Sequence, residues 1–219
     1  MLSDKYYAAL VNNVKDGLAK KGLRLPSKCD LPIKHGYEQP NGMQQYQEII
    51  GPLRWAVELG RVDMLFEVSL MSKHLVLPRE GQLKQVLHIV GYLKKHKKLR
   101  LMFDHSLPKV RDTWFDFYHD AQEAILPNMP EARGHGVCII CFVDASDGGN
   151  SQDGRSQSGI LIFINRAPIH WYSKSQLRVK ASTFGAEFCA MKTAVEMIKA
   201  LRYKLRMFGV RIKGPTNVY

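Results

Sequence analysis

Val137-Cys138-Ile139-Ile140-Cys141-Phe142-Val143-Asp144-Ala145-Ser146-Asp147 opens with seven apolar residues in a row and then turns polar at Asp144. A run this short, rich in β-branched Val and Ile, predicts a strand buried on both faces over Val137 to Val143. Polar residues follow from Gly148 to Gly154 as a loop, then a second strand from Gly159 to Ile164. Asn165-Arg166-Ala167-Pro168 reads as a turn into a third strand, Ile169 to Tyr172, which makes a three-stranded antiparallel meander. A long helix begins after Ser182 or Thr183, either of which can cap it. Phe184, Phe188, Met191, Val195, Ile198, Leu205 and Phe208 recur at helical spacing, and this stripe is expected to face the sheet. Gly209 ends the helix, and Val210 to Tyr219 has room for a turn at Gly214-Pro215 and the first residues of a fourth strand.

Upstream of Gly136 the apolar period changes from strand-like to helical. Tyr6, Leu10, Val14 and Leu18 share one helix face, and Leu83, Val86, Leu87, Val90 and Leu93 share another. Further helices are expected from Met43 towards Trp55 and from Val62 to Val76, with Pro26, Pro32 and Pro40 marking an extended linker before them. Pro108 to Gly136 carries Pro127, Pro130 and aperiodic aromatics and reads as a connection. The expected organisation is a helical segment over residues 1–110, a linker over 111–136 and a strand-rich domain over 137–219, an α/β (mixed α+β) chain.

Two carboxylates stand out in the strand-rich part. Asp144 ends the buried strand, which aims it at the rim of the sheet, and Glu187 lies in the first turns of the helix at the margin of the apolar stripe. Two carboxylates brought together repel unless they share a proton or a divalent cation, and Mg²⁺ suits such oxygen donors. On these residues alone a structural explanation stands beside the functional one: Asp144 caps a turn and Glu187 complements the positive end of the helix.

The order of the motifs carries a resemblance. Phe142-Val143-Asp144-Ala145-Ser146-Asp147, Arg155-Ser156 before Ser158-Gly159, Ile169-His170-Trp171-Tyr172-Ser173-Lys174 with Gln176, and Ser182-Thr183 with Ala186-Glu187-Phe188 resemble the ribonuclease H signature of copia-type retrotransposon polyproteins. Tyr46-Gln47-Glu48-Ile49-Ile50-Gly51, Leu53-Arg54-Trp55, Gly60-Arg61 with Asp63, Pro78-Arg79-Glu80-Gly81 and Tyr92-Leu93-Lys94-Lys95 are similar to the connection segment after the reverse-transcriptase palm in the same polyproteins. The resemblance implies a ribonuclease H-like fold and hydrolysis of the RNA strand of an RNA–DNA hybrid during reverse transcription, with two Mg²⁺ ions held by carboxylates. Asp144 and Glu187 occupy the family's catalytic and metal-binding positions, and Arg155, Lys174, Arg178 and Lys180 are expected to contact backbone phosphates.

The departures bear on activity. The family's third catalytic aspartate is expected just after Val218-Tyr219, so the strand-rich domain reads as truncated, with Asp144 and Glu187 at most half of a site that holds metal weakly or not at all. Ser158 stands where the family usually has Thr, and the paired aspartates of a polymerase palm are not in the sequence, so no DNA polymerisation is expected. A fragment inactive alone, a non-catalytic nucleic-acid-binding remnant and a relic of a decayed element are the readings that follow.

Charge and composition agree with a polyanionic partner. Thirty-two Lys and Arg against twenty Asp and Glu give a formal net charge of +12 and a pI near 9.6, with Lys94, Lys95, Lys97, Lys98 and Arg100 forming one cluster. No apolar run is long enough to span a bilayer and the N-terminus lacks the apolar core of a signal peptide, so no membrane partner is expected. Four cysteines do not suggest a disulfide scaffold, so an intracellular protein, cytoplasmic or nuclear, is expected, with no small-molecule substrate. Cys138 and Cys141 have the spacing of a metal or redox pair but lie within the predicted strand, where positions three apart face opposite sides. His74, His88 and His96 read as helix-surface residues, His170 as an outward strand residue, and Trp55 and Trp171 as core anchors.

Overall fold

The computed structural model describes residues 40–108, 126–146, 154–179 and 182–219. The helix expected around Tyr6 to Leu18, the linker prolines Pro26 and Pro32, and most of the polar loop after Asp144 lie outside the described residues. The chain divides into two compact units between Leu101 and Met102.

The first unit is helical. Helices α1 (Pro40–Glu58), α2 (Leu65–Met71) and α3 (Glu80–Lys95) follow in order, with single 3₁₀ turns at Val62–Met64 and Ser72–His74 flanking α2. The segment expected as one helix from Val62 to Val76 is thus a short α-helix between two tighter turns. Tyr46, Ile49, Ile50, Leu53 and Val57 of α1 are buried with Val68 and Met71 of α2 and with Leu83, Val86, Leu87, Val90 and Leu93 of α3. The stripe expected on α3 is therefore the buried one. Tyr46 keeps its polar end satisfied by donating its hydroxyl to the Met71 carbonyl at 2.7 Å, and burial pushes its phenol well above the ordinary tyrosine range. Trp55, expected as a core anchor, is 56% exposed, because α1 turns the Tyr46, Ile49, Leu53 and Ala56 face inward. Buried Arg61 forms a two-point ion pair with Asp63, at 2.8 Å from Nε and 2.7 Å from Nη2.

The second unit carries the sheet. Strands β1 (Arg133–Val137), β2 (Ile139–Ala145), β3 (Gln157–Ile164) and β4 (Ala167–Ser175) precede helix α4 (Thr183–Met207), and short strands β5 (Val210–Ile212) and β6 (Asn217–Val218) follow it. The main sheet has the order β4-β3-β2-β6, and β1 with β5 makes a separate two-stranded ribbon. The pairs β2 with β3 and β3 with β4 are antiparallel, as the meander requires. Asn165 and Arg166 form the tight turn between β3 and β4, with Asn165 in the left-handed region at φ 55°, a conformation Asn tolerates because its side chain bonds locally. Its Oδ1 accepts from the Cys138 N–H at 2.9 Å, at the point where the apolar run splits into β1 and β2.

One feature extends the sequence expectation and one departs from it. The final residues pair in parallel: β6 with β2 and β5 with β1. A helix crosses over between β2 and β6, and a crossover delivers a parallel neighbour where a hairpin delivers an antiparallel one. The departure concerns α4. Phe184 is 77% exposed and Phe188 64%, and Met191, Val195 and Phe208 are exposed with them, whereas Ala186, Ala190 and Ala194 are fully buried. Of the expected stripe only Ile198 and Leu205 join the core, which is built on Ile139, Cys141, Ile160, Ile162 and Ile212. The alanine side packs against the sheet because small side chains let the helix backbone approach β2, where Ala145, Ala186 and Ala190 form one cluster with Val143.

Candidate catalytic site

Strand register brings the chemistry-bearing residues to one end of the sheet. Asp144 lies opposite Gly159, and Ala145 opposite Ser158, at the end of β2. Gln157 lies opposite Ser175, and Ser158 opposite Lys174, at the start of β3 and the end of β4. Val143 and Ala145 pack towards α4, so alternation turns Phe142 and Asp144 to the other face, and both are exposed.

Glu187 is half-buried, the fifth residue of α4. Its neighbours on the buried side are Ala186 and Ala190 rather than the apolar stripe expected from sequence. The alanine contact holds the helix close to β2, and Glu187 Oε1 accepts the Ala145 backbone N–H at 3.2 Å. That amide belongs to the peptide joining Asp144 to Ala145, so the Glu187 carboxylate is tied to the backbone beside Asp144. A purely dipolar role for Glu187 is weakened by its position beyond the first turn, where the helix-terminal field fades.

A polar network fixes this end of the unit. Ser182 caps α4 by accepting the Gly185 N–H at 3.2 Å, one of the two expected caps. Gln176 is buried, and its Nε2 donates both to the Ala186 carbonyl at 2.8 Å and to Ser158 Oγ at 3.0 Å. It therefore links the residue preceding Glu187 to β3, and its backbone N–H donates to the Ser156 carbonyl at 2.8 Å. Gln157 Nε2 donates to Ser173 Oγ at 2.9 Å, and the Gln157 N–H donates to Ser146 Oγ at 2.9 Å. Gln176 belongs to a recognisable motif, yet nothing in its spacing announces that it bridges strand and helix; only the packing does.

The basic residues expected to contact phosphate fall near the same end. Arg155 is exposed just before β3, Lys174 is exposed on the edge strand β4, and Arg178 is exposed just after it. Lys174 Nζ sits 5.5 Å from the centre of the Tyr172 ring, a cation–π contact that holds the charge over the strand. Lys180 lies outside the described residues.

Asp144 and Glu187 are hard oxygen donors and suit Mg²⁺, an ion that keeps most of its waters and takes one or two carboxylates from a protein. Among the described residues no group of three or more His, Cys, Asp and Glu side chains is positioned to hold a metal, and alternation turns the Asp144 side chain to the face away from α4, so Glu187 is tied to the peptide beside Asp144 and not to its carboxylate. Cys138 and Cys141 are free thiols; Cys141 is fully buried in the core, and burial pushes its thiol up to about 11, which suits packing rather than metal or redox chemistry.

No protein-family model matches the chain, and no solved structure matches it. The chain is 22% identical over 177 residues to the retrovirus-related Pol polyprotein from transposon RE1 of Arabidopsis thaliana, across 80% of this chain and 10% of that protein. Against the corresponding polyprotein from transposon RE2 of the same plant it is 20% identical over 189 residues, 86% of this chain and 11% of that protein. It is also 24% identical over 129 residues to the putative transposon Ty5-1 protein of Saccharomyces cerevisiae, 59% of this chain and 33% of that protein. These similarities support a fragment of a retroelement polyprotein. The chain spans about a tenth of the length of the two plant polyproteins. Among the described residues no helix is long and apolar enough to cross a membrane.

Proposed function

We propose that the chain combines the connection segment of a copia-type reverse transcriptase with a ribonuclease H-like unit whose sheet end receives an RNA–DNA hybrid. The observation that carries the reading is the 3.2 Å bond from the Ala145 N–H to Glu187 Oε1, which ties one carboxylate to the peptide beside the other. Asp144 and Glu187 would hold Mg²⁺, which when bound neutralises charge on the scissile phosphate and makes water a stronger nucleophile. The exposed Asp144 carboxylate supplies an acceptor at the rim of the sheet, and Glu187, half-buried and braced by Ala145, supplies the second. Arg155, Lys174, Arg178 and Lys180 would pair with backbone phosphates and set the position of the hybrid without reading its bases. Gln176 acts as a positioning residue, because its bond to the Ala186 carbonyl holds the turn from which Glu187 projects.

The number of carboxylates favours a second reading for these 219 residues taken alone, that of a non-catalytic nucleic-acid binder. Two-metal hydrolysis needs carboxylates enough to fix both ions, and among the described residues no group of three or more His, Cys, Asp and Glu is placed to hold a metal. The experiment that tests both readings measures Mg²⁺-dependent cleavage and binding of an RNA–DNA hybrid by the chain, beside Asp144→Asn and Glu187→Gln. Hybrid binding with cleavage that both substitutions abolish is the result expected of the nuclease reading, and binding without cleavage that of the second. Cleavage indifferent to Asp144→Asn would reject the assignment of the site, and no binding at low salt would reject both.

A further inference from the structure

The helical unit ends in a charge cluster that the sheet-end site does not use. Between Gly81 and Leu101 the sequence has no Asp or Glu, and Lys94, Lys95, Lys97, Lys98 and Arg100 place five cations in seven residues. All five are exposed. The ion pairs Arg61–Asp63, Arg166–Asp104 and Lys192–Glu196 involve none of the five.

The cluster is held on a fixed support. Leu93, immediately before it, is fully buried, as is Val90 one turn earlier. The His96 N–H donates to the Tyr92 carbonyl at 2.8 Å and the Leu99 N–H to the His96 carbonyl at 3.3 Å, so the backbone keeps turning past the end of α3. Lys94 and Lys95 lie in the last helical turn, where cations complement the helix dipole. Lys97, Lys98 and Arg100 lie beyond it, and dipole complementation does not account for them. Two carboxylates act on the Tyr92 side of this surface: Asp63, bonded by the Tyr92 side chain and paired at two points with Arg61, and Glu67. Beside the lysines the rings of Tyr92 and His96 lie 4.5 Å apart at 36°, with Tyr92 exposed, which offers an aromatic surface next to the charge.

We infer that Lys94, Lys95, Lys97, Lys98 and Arg100, with the Tyr92 and His96 rings, form a second nucleic-acid docking surface, on the helical unit. It takes the phosphodiester backbone without sequence preference. Lysines act as point charges that accept phosphate in many orientations, so the surface grips RNA or DNA and reads neither. Like charges so close together gather counter-anions, and a polyanion that displaces them gains the entropy of their release. The inference does not depend on catalysis at the sheet end.

The test measures binding of the full chain to a fluorescent single-stranded RNA and to an RNA–DNA duplex, by anisotropy, over a series of KCl concentrations. The variant replaces Lys94, Lys95, Lys97 and Lys98 with Gln, beside a control with Arg at the same four positions. On single strands each lost contact makes the log–log salt slope shallower by about 0.7. The Gln variant is therefore expected to lose about 3 from the slope and at least tenfold in affinity at low salt, and the Arg control to keep both. If the fourfold Gln variant loses its helical circular dichroism, single Lys97→Gln and Lys98→Gln variants, both past the helix, read the same slope one contact at a time. An unchanged slope in the Gln variants overturns the inference. So does retained nucleic-acid binding with loss of binding to phosphatidylserine vesicles, which would make the surface a membrane contact.

Discussion

Helices α3 and α4 share a helical period of large apolar residues, yet those residues are the buried side of one and largely the exposed side of the other. On α3 the large apolar residues Leu83, Val86, Leu87, Val90 and Leu93 are the core. On α4 the large residues Phe184, Phe188, Met191 and Val195 face outward, while alanines at 186, 190 and 194 pack against the sheet. The difference lies in what each helix meets. A helix packed on helices fills the grooves between them with long side chains. At its first turns α4 lies against the end of β2, where Ala145 is also small, so close approach favours side chains that leave no gap between backbones. The close approach also lets the short reach of Glu187 span to the Ala145 amide. Further along α4 the core side chains grow to Ile198, Leu201 and Leu205.

The contrast can be broken or sharpened by substitution, with local stability read as peptide-resolved hydrogen exchange on the full chain. Leu93→Ala, at a fully buried site of α3, is expected to cost about 2–5 kcal/mol by lost transfer energy and a residual cavity. Faster exchange should follow in α1 and α3, and unchanged protection there would mean that the α3 stripe is not the core. Ala190→Leu, at a fully buried site of α4, should cost about 1–3 kcal/mol because the enlarged side chain forces helix and sheet apart. A neutral or stabilising result would show that the alanine face is not tightly packed.

Gln176→Leu removes the bonds to the Ala186 carbonyl and Ser158 and should cost about 1–3 kcal/mol through buried polar groups left unpaired. Exchange should rise first at the start of α4, and an effect confined to β4 would contradict the bridging role. The Arg61–Asp63 pair gives a smaller, pH-dependent effect in the helical unit. Burial raises the Asp63 pKa, but the hydrogen bonds and charge of Arg61 outweigh it and hold the carboxyl below its ordinary value. A folded-state pKa below the unfolded one contributes stability above the unfolded value, about 3.9 for Asp, and loses it as pH falls through the folded value. Acid titration of the parent beside Asp63→Asn should show that added acid sensitivity in the parent alone, and superimposable curves would remove the pair from the account. Phe188→Ala should change stability least, within about 0.5 kcal/mol, since the residue is 64% exposed. A loss as large as that of Ala190→Leu would restore the aromatic face as the packed one.

Much of the plan is legible without coordinates, because it rests on local signals. The antiparallel meander follows from three apolar runs separated by turn residues, and the turn expected over Asn165-Arg166-Ala167-Pro168 tightens to Asn165-Arg166 because β4 begins at Ala167, with Asn165 in the left-handed region. Ser182 as a helix cap and Gly209 as its terminator are equally local: one accepts the Gly185 N–H, and the other takes φ 69°. Asp144 and Glu187 stand out by position, one at a strand end and one in the first turns of a helix, but only motif order joins residues so far apart in the chain into one candidate site.

Tertiary structure decided the rest. Strands of three and two residues, Val210–Ile212 and Asn217–Val218, are too short to show a period, and their parallel pairing depends on where α4 delivers the chain. The sequence by itself placed β2, β3, α3 and α4 near their observed bounds, with Asp144 at a strand end and Glu187 near a helix start, whereas β1 begins at Arg133, inside the stretch read as a connection, and the helix expected over Val62 to Val76 is broken. Only the packed structure decided which side of α4 is the inside, because hydrophobic pattern weighs side chains by size and polarity. Close contact with a sheet selects for smallness, and an alanine at 0% exposure carries little hydrophobic signal of its own. That choice of face is also what ties Glu187 to the peptide beside Asp144.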